Sequence, residues 1–189
     1  MRTETDSREK IISAAYDVLA EKGYDAASTK EIARRAGVAQ GLINYYFPSK
    51  DDLFIEVLKV EGQRFCEMSD RLTLQNGGLE LLHQVLNGIK AAIEQHPQWY
   101  RLKFELYAMG LRNPRLYNEV QNQMKIARER NSQDLGRIFS KPPEELEAIS
   151  AIVFSAIEGL ALQKLVDSQF DLDQAFEELL AMVLLKVKG

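Results

Sequence analysis

Apolar residues recur along this chain at intervals of three and four, the spacing that returns a side chain to one face of an α-helix. The first stripe is Ile11, Ala14, Ala15, Val18 and Leu19. It predicts a helix that begins near Asp6, capped by that carboxylate with Glu9 at the third position, and that ends at Gly23. Ser28 with Glu31 three residues on has capping-box spacing and predicts a second, short helix through about Ala36, stopped by Gly37. A third runs from Gln40 to Phe47, after which Pro48-Ser49-Lys50 supplies a break and the N-cap of a long helix from about Asp51 to Leu72. Later boundaries are predicted at Asn76-Gly77-Gly78, His96-Pro97, Asn113-Pro114, Lys141-Pro142-Pro143, and near Asp171 with Gln174. Strand-period alternation flanking a hairpin dipeptide does not occur, so the fold class is all-α with about nine helices.

Residues 28–47 have the spacing of a helix-turn-helix. Ala33 is small where two helices would cross, and Gly37, four residues on, accepts a positive φ at no Cβ cost. Ile32, Ala36, Val38, Ile43 and Tyr46 then fall inward, where they pack on the first helix. Gln40, Gly41, Asn44 and Tyr45 are left outward, in reach of base edges or phosphates in a major groove. The same spacing also suits an ordinary helical corner.

Charge does not oppose the DNA reading. The net charge of -4 is unevenly spread: residues 1–50 hold eight Lys/Arg against seven Asp/Glu, whereas the remainder is acidic. A dimeric reader needs a local set of phosphate contacts, not a basic chain overall. One cysteine, Cys66, precludes an internal disulfide, and His83 and His96 lack the neighbours of a metal centre. No nucleophile motif, phosphate loop or cofactor motif is present, which argues against an enzyme and for no cofactor. The charged Met1–Lys10 stretch lacks the pattern of a signal peptide. Ala148–Ile157 is apolar but shorter than the roughly 20 residues of a membrane span, so it reads as a buried helix. A cytoplasmic protein with no membrane partner is expected.

Specificity comes from longer runs: Ile32-Ala33-Arg34-Arg35-Ala36-Gly37-Val38-Ala39, then Gly41-Leu42-Ile43-Asn44-Tyr45-Tyr46-Phe47-Pro48-Ser49-Lys50-Asp51-Asp52-Leu53, with Glu21-Lys22-Gly23-Tyr24 before them. Over about residues 8 to 56 the chain resembles the TetR/AcrR-type family of transcriptional regulators. The resemblance implies a helix-turn-helix DNA-binding domain over 1–50 and a helical ligand-binding and dimerisation domain over 51–189. It makes Gln40–Tyr46 the recognition helix, with Gln40, Gly41, Asn44, Tyr45 and Tyr46 at the DNA. Ser28 and Thr29 would meet a phosphate, and Lys50 matches the family's phosphate-contacting lysine. Many relatives carry an aromatic residue in place of Asn44 and histidine in place of Tyr46; asparagine is chemically suited to adenine. Arg34 and Arg35 fit phosphate contact or a solvated surface equally.

The C-terminal half follows the family pattern loosely. Ala151, Ser155, Ala156 and Gly159 are spaced to admit a close neighbouring helix, and a mid-helix glycine costs about 1 kcal/mol unless packing offsets it. The resemblance implies a homodimer through helices near 144–168 and 172–187; an intramolecular hairpin is the alternative. Aromatic and sulfur side chains cluster in sequence at Trp99, Tyr100, Phe104 and Tyr107, with Phe65, Cys66, Met68, Tyr117 and Met124. At helical spacing these fit an ordinary core. The resemblance implies instead that Phe65, Met68, Trp99, Tyr100, Phe104, Tyr107 and Met124 hold a small organic ligand, with Arg101, Glu105 and Gln123 orienting it or facing water. The expected function is a repressor released from a palindromic operator by that ligand, with the long helix from Lys50 as the lever. A regulator without an effector, or an activator, is the alternative.

Overall fold

The computed structural model describes residues 2–73 and 78–188. Among them are nine α-helices: α1 (Arg2–Ala26), α2 (Thr29–Ala36), α3 (Gln40–Tyr46), α4 (Lys50–Thr73), α5 (Gly78–Gln95), α6 (Pro97–Gly110), α7 (Pro114–Phe139), α8 (Glu147–Val166) and α9 (Leu172–Lys188). A 3-10 turn at Pro143–Leu146 precedes α8. No strand occurs among the described residues, in keeping with the all-α reading.

Most boundaries fall where local chemistry placed them. Pro97 and Pro114 open α6 and α7, the position where a missing N–H costs nothing. Ser49 Oγ accepts the Asp52 N–H at 3.2 Å, and Asp171 Oδ1 accepts the Gln174 N–H at 3.0 Å, capping α4 and α9. Asn76 and Gly77 of the expected fourth break lie outside the described residues.

The first helix differs from expectation at both ends. It starts by Arg2, so Asp6 is no cap and instead receives Lys10 Nζ at 2.7 Å one turn on. Gly23 interrupts the helix rather than ending it: at φ 74°, ψ 174° it takes a conformation essentially reserved for glycine, and helix resumes through Ala26.

The chain divides into two compact units, Met1–Phe65 with Arg101–Val120, and Cys66–Tyr100 with Gln121–Gly189. These units do not coincide with the division at residue 50 that the resemblance implies. In the first, Ile11, Ala15, Val18, Ile32, Ile43, Phe54, Leu58, Leu102, Leu106 and Leu116 are buried together with the smaller Ala33. In the second, α9 packs on α8 and α5, with Leu172, Phe176, Leu179 and Val183 buried along α9 and an ion pair between Lys90 and Asp173.

One expectation is overturned in the second unit. The apolar stretch is not a buried helix: Pro143–Val166 spans 24 residues, its best window has a mean hydropathy of 1.6, and only 22% of that window is buried. By length and composition alone this segment could cross a membrane, a test that core helices also pass. Ser150, Val153, Ile157 and Ala161 face inward, while Ile152, Leu162 and Val166 stand 63%, 48% and 81% exposed.

Candidate nucleic-acid interface

The geometry of the reader begins at its turn. Gly37 adopts the left-handed conformation, φ 68°, ψ 32°, and closes α2 with the paired bonds of a Schellman motif: Val38 N–H to Ala33 O at 3.0 Å and Gly37 N–H to Arg34 O at 3.3 Å. A residue with a Cβ would be strained there. At the other end of α2 the Ser28 Oγ accepts the Glu31 N–H at 3.2 Å. The Glu31 carboxylate takes Lys22 Nζ at 2.7 Å, so its charge also ties α2 to α1.

These contacts fix α3 with Ile43 buried beneath it and Gln40, Gly41, Asn44 and Tyr45 outward, Tyr45 at 73% exposure. Gln40 Nε2 donates to Thr29 Oγ1 at 3.2 Å, which steadies the first side chain of the exposed face. Tyr46 is half-buried and meets Tyr45 edge to face, with ring centroids 5.1 Å apart. Of the residues expected at DNA on α2 and α3, Ser28, Gln40, Gly41, Asn44 and Tyr45 are exposed, while Thr29 and Tyr46 are half-buried. Of the two arginines left open, Arg35 forks onto the Glu21 carboxylate at 2.6 and 2.9 Å and holds it below the usual carboxylate range. Arg34 is exposed.

Lys50 is placed by groups to which the sequence assigned no role. Its Nζ lies 4.2 Å over the Tyr24 ring and donates to the Asp25 carbonyl at 3.4 Å. The Tyr24 ring packs on buried Phe54, and its hydroxyl donates to the Asp51 carboxylate. Burial, then Asp51, pushes this phenol above its ordinary range. Glu105 of α6, offered by sequence as a ligand-orienting or solvent-facing group, instead accepts the Tyr24 backbone N–H at 2.9 Å.

A cleft of about 490 Å³ is lined by Arg8, Tyr46, Phe47, Glu56, Lys59 and Glu119, among others, and by none of the residues expected to hold a ligand. Its cations are already paired, Arg8 with Glu56 at 2.6 Å and Lys59 with Glu119 at 2.9 Å. Of the ligand candidates, Trp99 and Tyr100 are buried and Met124 half-buried in the second unit, whereas Phe104 and Tyr107 are half-buried in the first, their rings 6.2 Å apart. The side chains of Phe65, Cys66 and Met68 lie outside the described ones.

Two short helices joined through a left-handed glycine, the second with a polar exposed face, define the class: a helix-turn-helix protein on an all-helical body. Residues 11–57 match the model of the family "Bacterial regulatory proteins, tetR family". The chain is 43% identical over 58 residues to the fatty acid metabolism regulator protein of Bacillus subtilis, which covers 31% of this chain and 30% of that one. That alignment thus spans less than a third of the relative's own length. The nucleoid occlusion factor SlmA of Vibrio campbellii is 26% identical over 98% of this chain and 97% of its own. A transcriptional regulator from Rhodococcus sp. Rha1 has the same fold, with a TM-score of 0.79 at 21% identity over 95% and 96% of the two chains. Residues 11–57 thus carry the pattern of a TetR-type DNA-binding domain, on a body that shares the fold of a solved transcriptional regulator.

Proposed function

We propose that this chain is a TetR-type transcriptional regulator, a homodimer that occupies a palindromic operator through α2, α3 and Lys50 and is released from it by a small organic ligand. The exposed polar face of α3, held rigid by the Gly37 turn, carries the reading. Gln40 and Asn44 act at base edges, with Tyr45 and Tyr46 beside them; Ser28, Thr29 and Lys50 act at phosphates. Functionally, 1–50 is the reader and 51–189 the sensing and pairing domain.

A second copy suits the face left open on α8. Ala148, Ile152, Ser155, Gly159, Leu162 and Val166 are all exposed and recur at intervals of three and four, a continuous stripe of small and apolar groups. Beyond its own helix, no atom of the described residues lies within 4 Å of a Cβ built at Gly159. The packing that would offset this glycine comes, on this reading, from the partner. Met182 and Leu185 extend the apolar surface on α9. Two readers then face half-sites about 34 Å apart. Trp99, Tyr100 and Met124 are our choice for ligand contact, in a site of aromatic and apolar character.

A salt-varied gel-shift titration on DNA flanking its own gene tests the reader. Binding falls about 100-fold or more in Gln40→Ala/Asn44→Ala, since each base contact carries about 1–3 kcal/mol in each half-site. Sequence-indifferent binding in wild type and mutant alike would sink the assignment. A second reading, DNA binding without an effector, is favoured by the cleft that none of the expected ligand residues lines. A thermal-shift screen separates the two, because an occupied pocket raises the melting temperature and a solid core does not.

A further inference from the structure

We propose that Glu105 is a positioning residue for DNA binding, acting from α6 on Lys50 through the Gly23-Tyr24-Asp25 segment. The inference rests on the reading of Lys50 as a phosphate contact. At Gly23 the ψ of 174° turns the next peptide out of the helical direction, so the Tyr24 N–H needs an acceptor other than the preceding turn. Glu105 Oε1 supplies it at 2.9 Å, a charge-assisted bond across 81 residues of sequence. The same carboxylate oxygen lies 3.5 Å from where a Gly23 Cβ would stand, an ordinary contact distance, so it is the positive φ and not crowding by Glu105 that calls for glycine here.

What Glu105 holds is the seat of the ammonium. Lys50 Nζ has two described supports, the Tyr24 ring at 4.2 Å and the Asp25 carbonyl at 3.4 Å, and both belong to the three residues that follow the break. Phe54 and Asp51 fix the Tyr24 side chain from α4, which also carries Lys50. Among the described contacts, Glu105 fixes the backbone of this seat from another helix. Without it the ring and the carbonyl shift, and the lysine reaches its phosphate from a broader set of positions.

The experiment measures affinity against salt for the full-length protein on the duplex that wild type selects from a random-sequence pool. Lys50→Ala should lower the slope of log affinity against log salt by about 2, one phosphate in each half-site. Glu105→Ala should weaken binding by about tenfold and lower the slope in the same direction. It should cost nothing further in the Lys50→Ala background. Glu105→Gln keeps an acceptor oxygen and should restore wild-type binding; Glu105→Met, which keeps the stem without the acceptor, replaces the alanine variant should that one unfold. Losses that multiply in the double mutant, or a weaker affinity at an unchanged slope, overturn the proposal as a general structural effect. If Lys50→Ala weakens binding and Glu105→Ala does not, only the role of Glu105 falls. A Lys50→Ala variant with unchanged slope overturns the phosphate reading, and this proposal with it.

Discussion

The helix-turn-helix and the α8–α9 pair answer their own strains in opposite ways. Around α2 and α3 each unusual element meets a partner inside the chain: Gly37 completes a Schellman turn, Ser28 caps α2, and the N–H freed by Gly23 finds Glu105. What remains exposed there is mostly polar, as suits contact with a hydrated, charged surface. Along α8 the reverse holds. A continuous line of small and apolar groups is exposed, and among the described residues no other element crowds the glycine within it. One region is structurally finished as a single chain and offers chemistry; the other offers shape and is finished, on our proposal, by a copy of itself.

That contrast is open to attack at several points. The largest effect is expected from Ile152→Glu/Val166→Glu, which places two carboxylates in the α8 stripe. Sedimentation should then show a monomer that still folds, and operator affinity should drop by about 100-fold or more as the linked half-sites become independent. A dimer that survives would mean pairing lies elsewhere. Gly23→Ala probes the finished region: forcing a Cβ into that backbone conformation should cost about 1–3 kcal/mol in urea unfolding. An unchanged midpoint would show that the break relaxes freely. The smallest effect concerns Tyr24, whose phenol is pushed up by burial and by Asp51. A raised folded value favours the neutral phenol, so its contribution is complete below the ordinary tyrosine pKa of about 10 and is lost as pH rises through the higher folded value. Stability measured at rising alkaline pH should therefore decline more steeply in wild type than in Tyr24→Phe; parallel curves would remove Tyr24 from the set of buried polar contacts.

Much of the fold was legible because its punctuation acts over a few residues. Pro97, Pro114, Ser28, Gly37, Ser49 and Asp171 each set a boundary through their own backbone or a neighbour's N–H. The misread end of α1 follows from the same physics: Asp6 can cap, but the residues before it include no breaker, and extending a helix is easier than starting one. The Ser28–Glu31 pair was half right, since Glu31 turns to Lys22 instead. Contacts between distant residues left no local trace. Glu105 looks in sequence like any glutamate on a half-exposed helix face, and only the fold brings it to Tyr24. On α8 the periodicity found an apolar helix but could not distinguish a face buried by its own chain from one left for another.

Trp99, the chain's single tryptophan, is 8% exposed in the first turn of α6, next to buried Tyr100. Its fluorescence is consequently an optical signal from one known position, with no other indole to dilute it. A compound that reaches this end of α6 would register as quenching or a spectral shift in the unlabelled protein, before its chemistry or its effect on DNA is known.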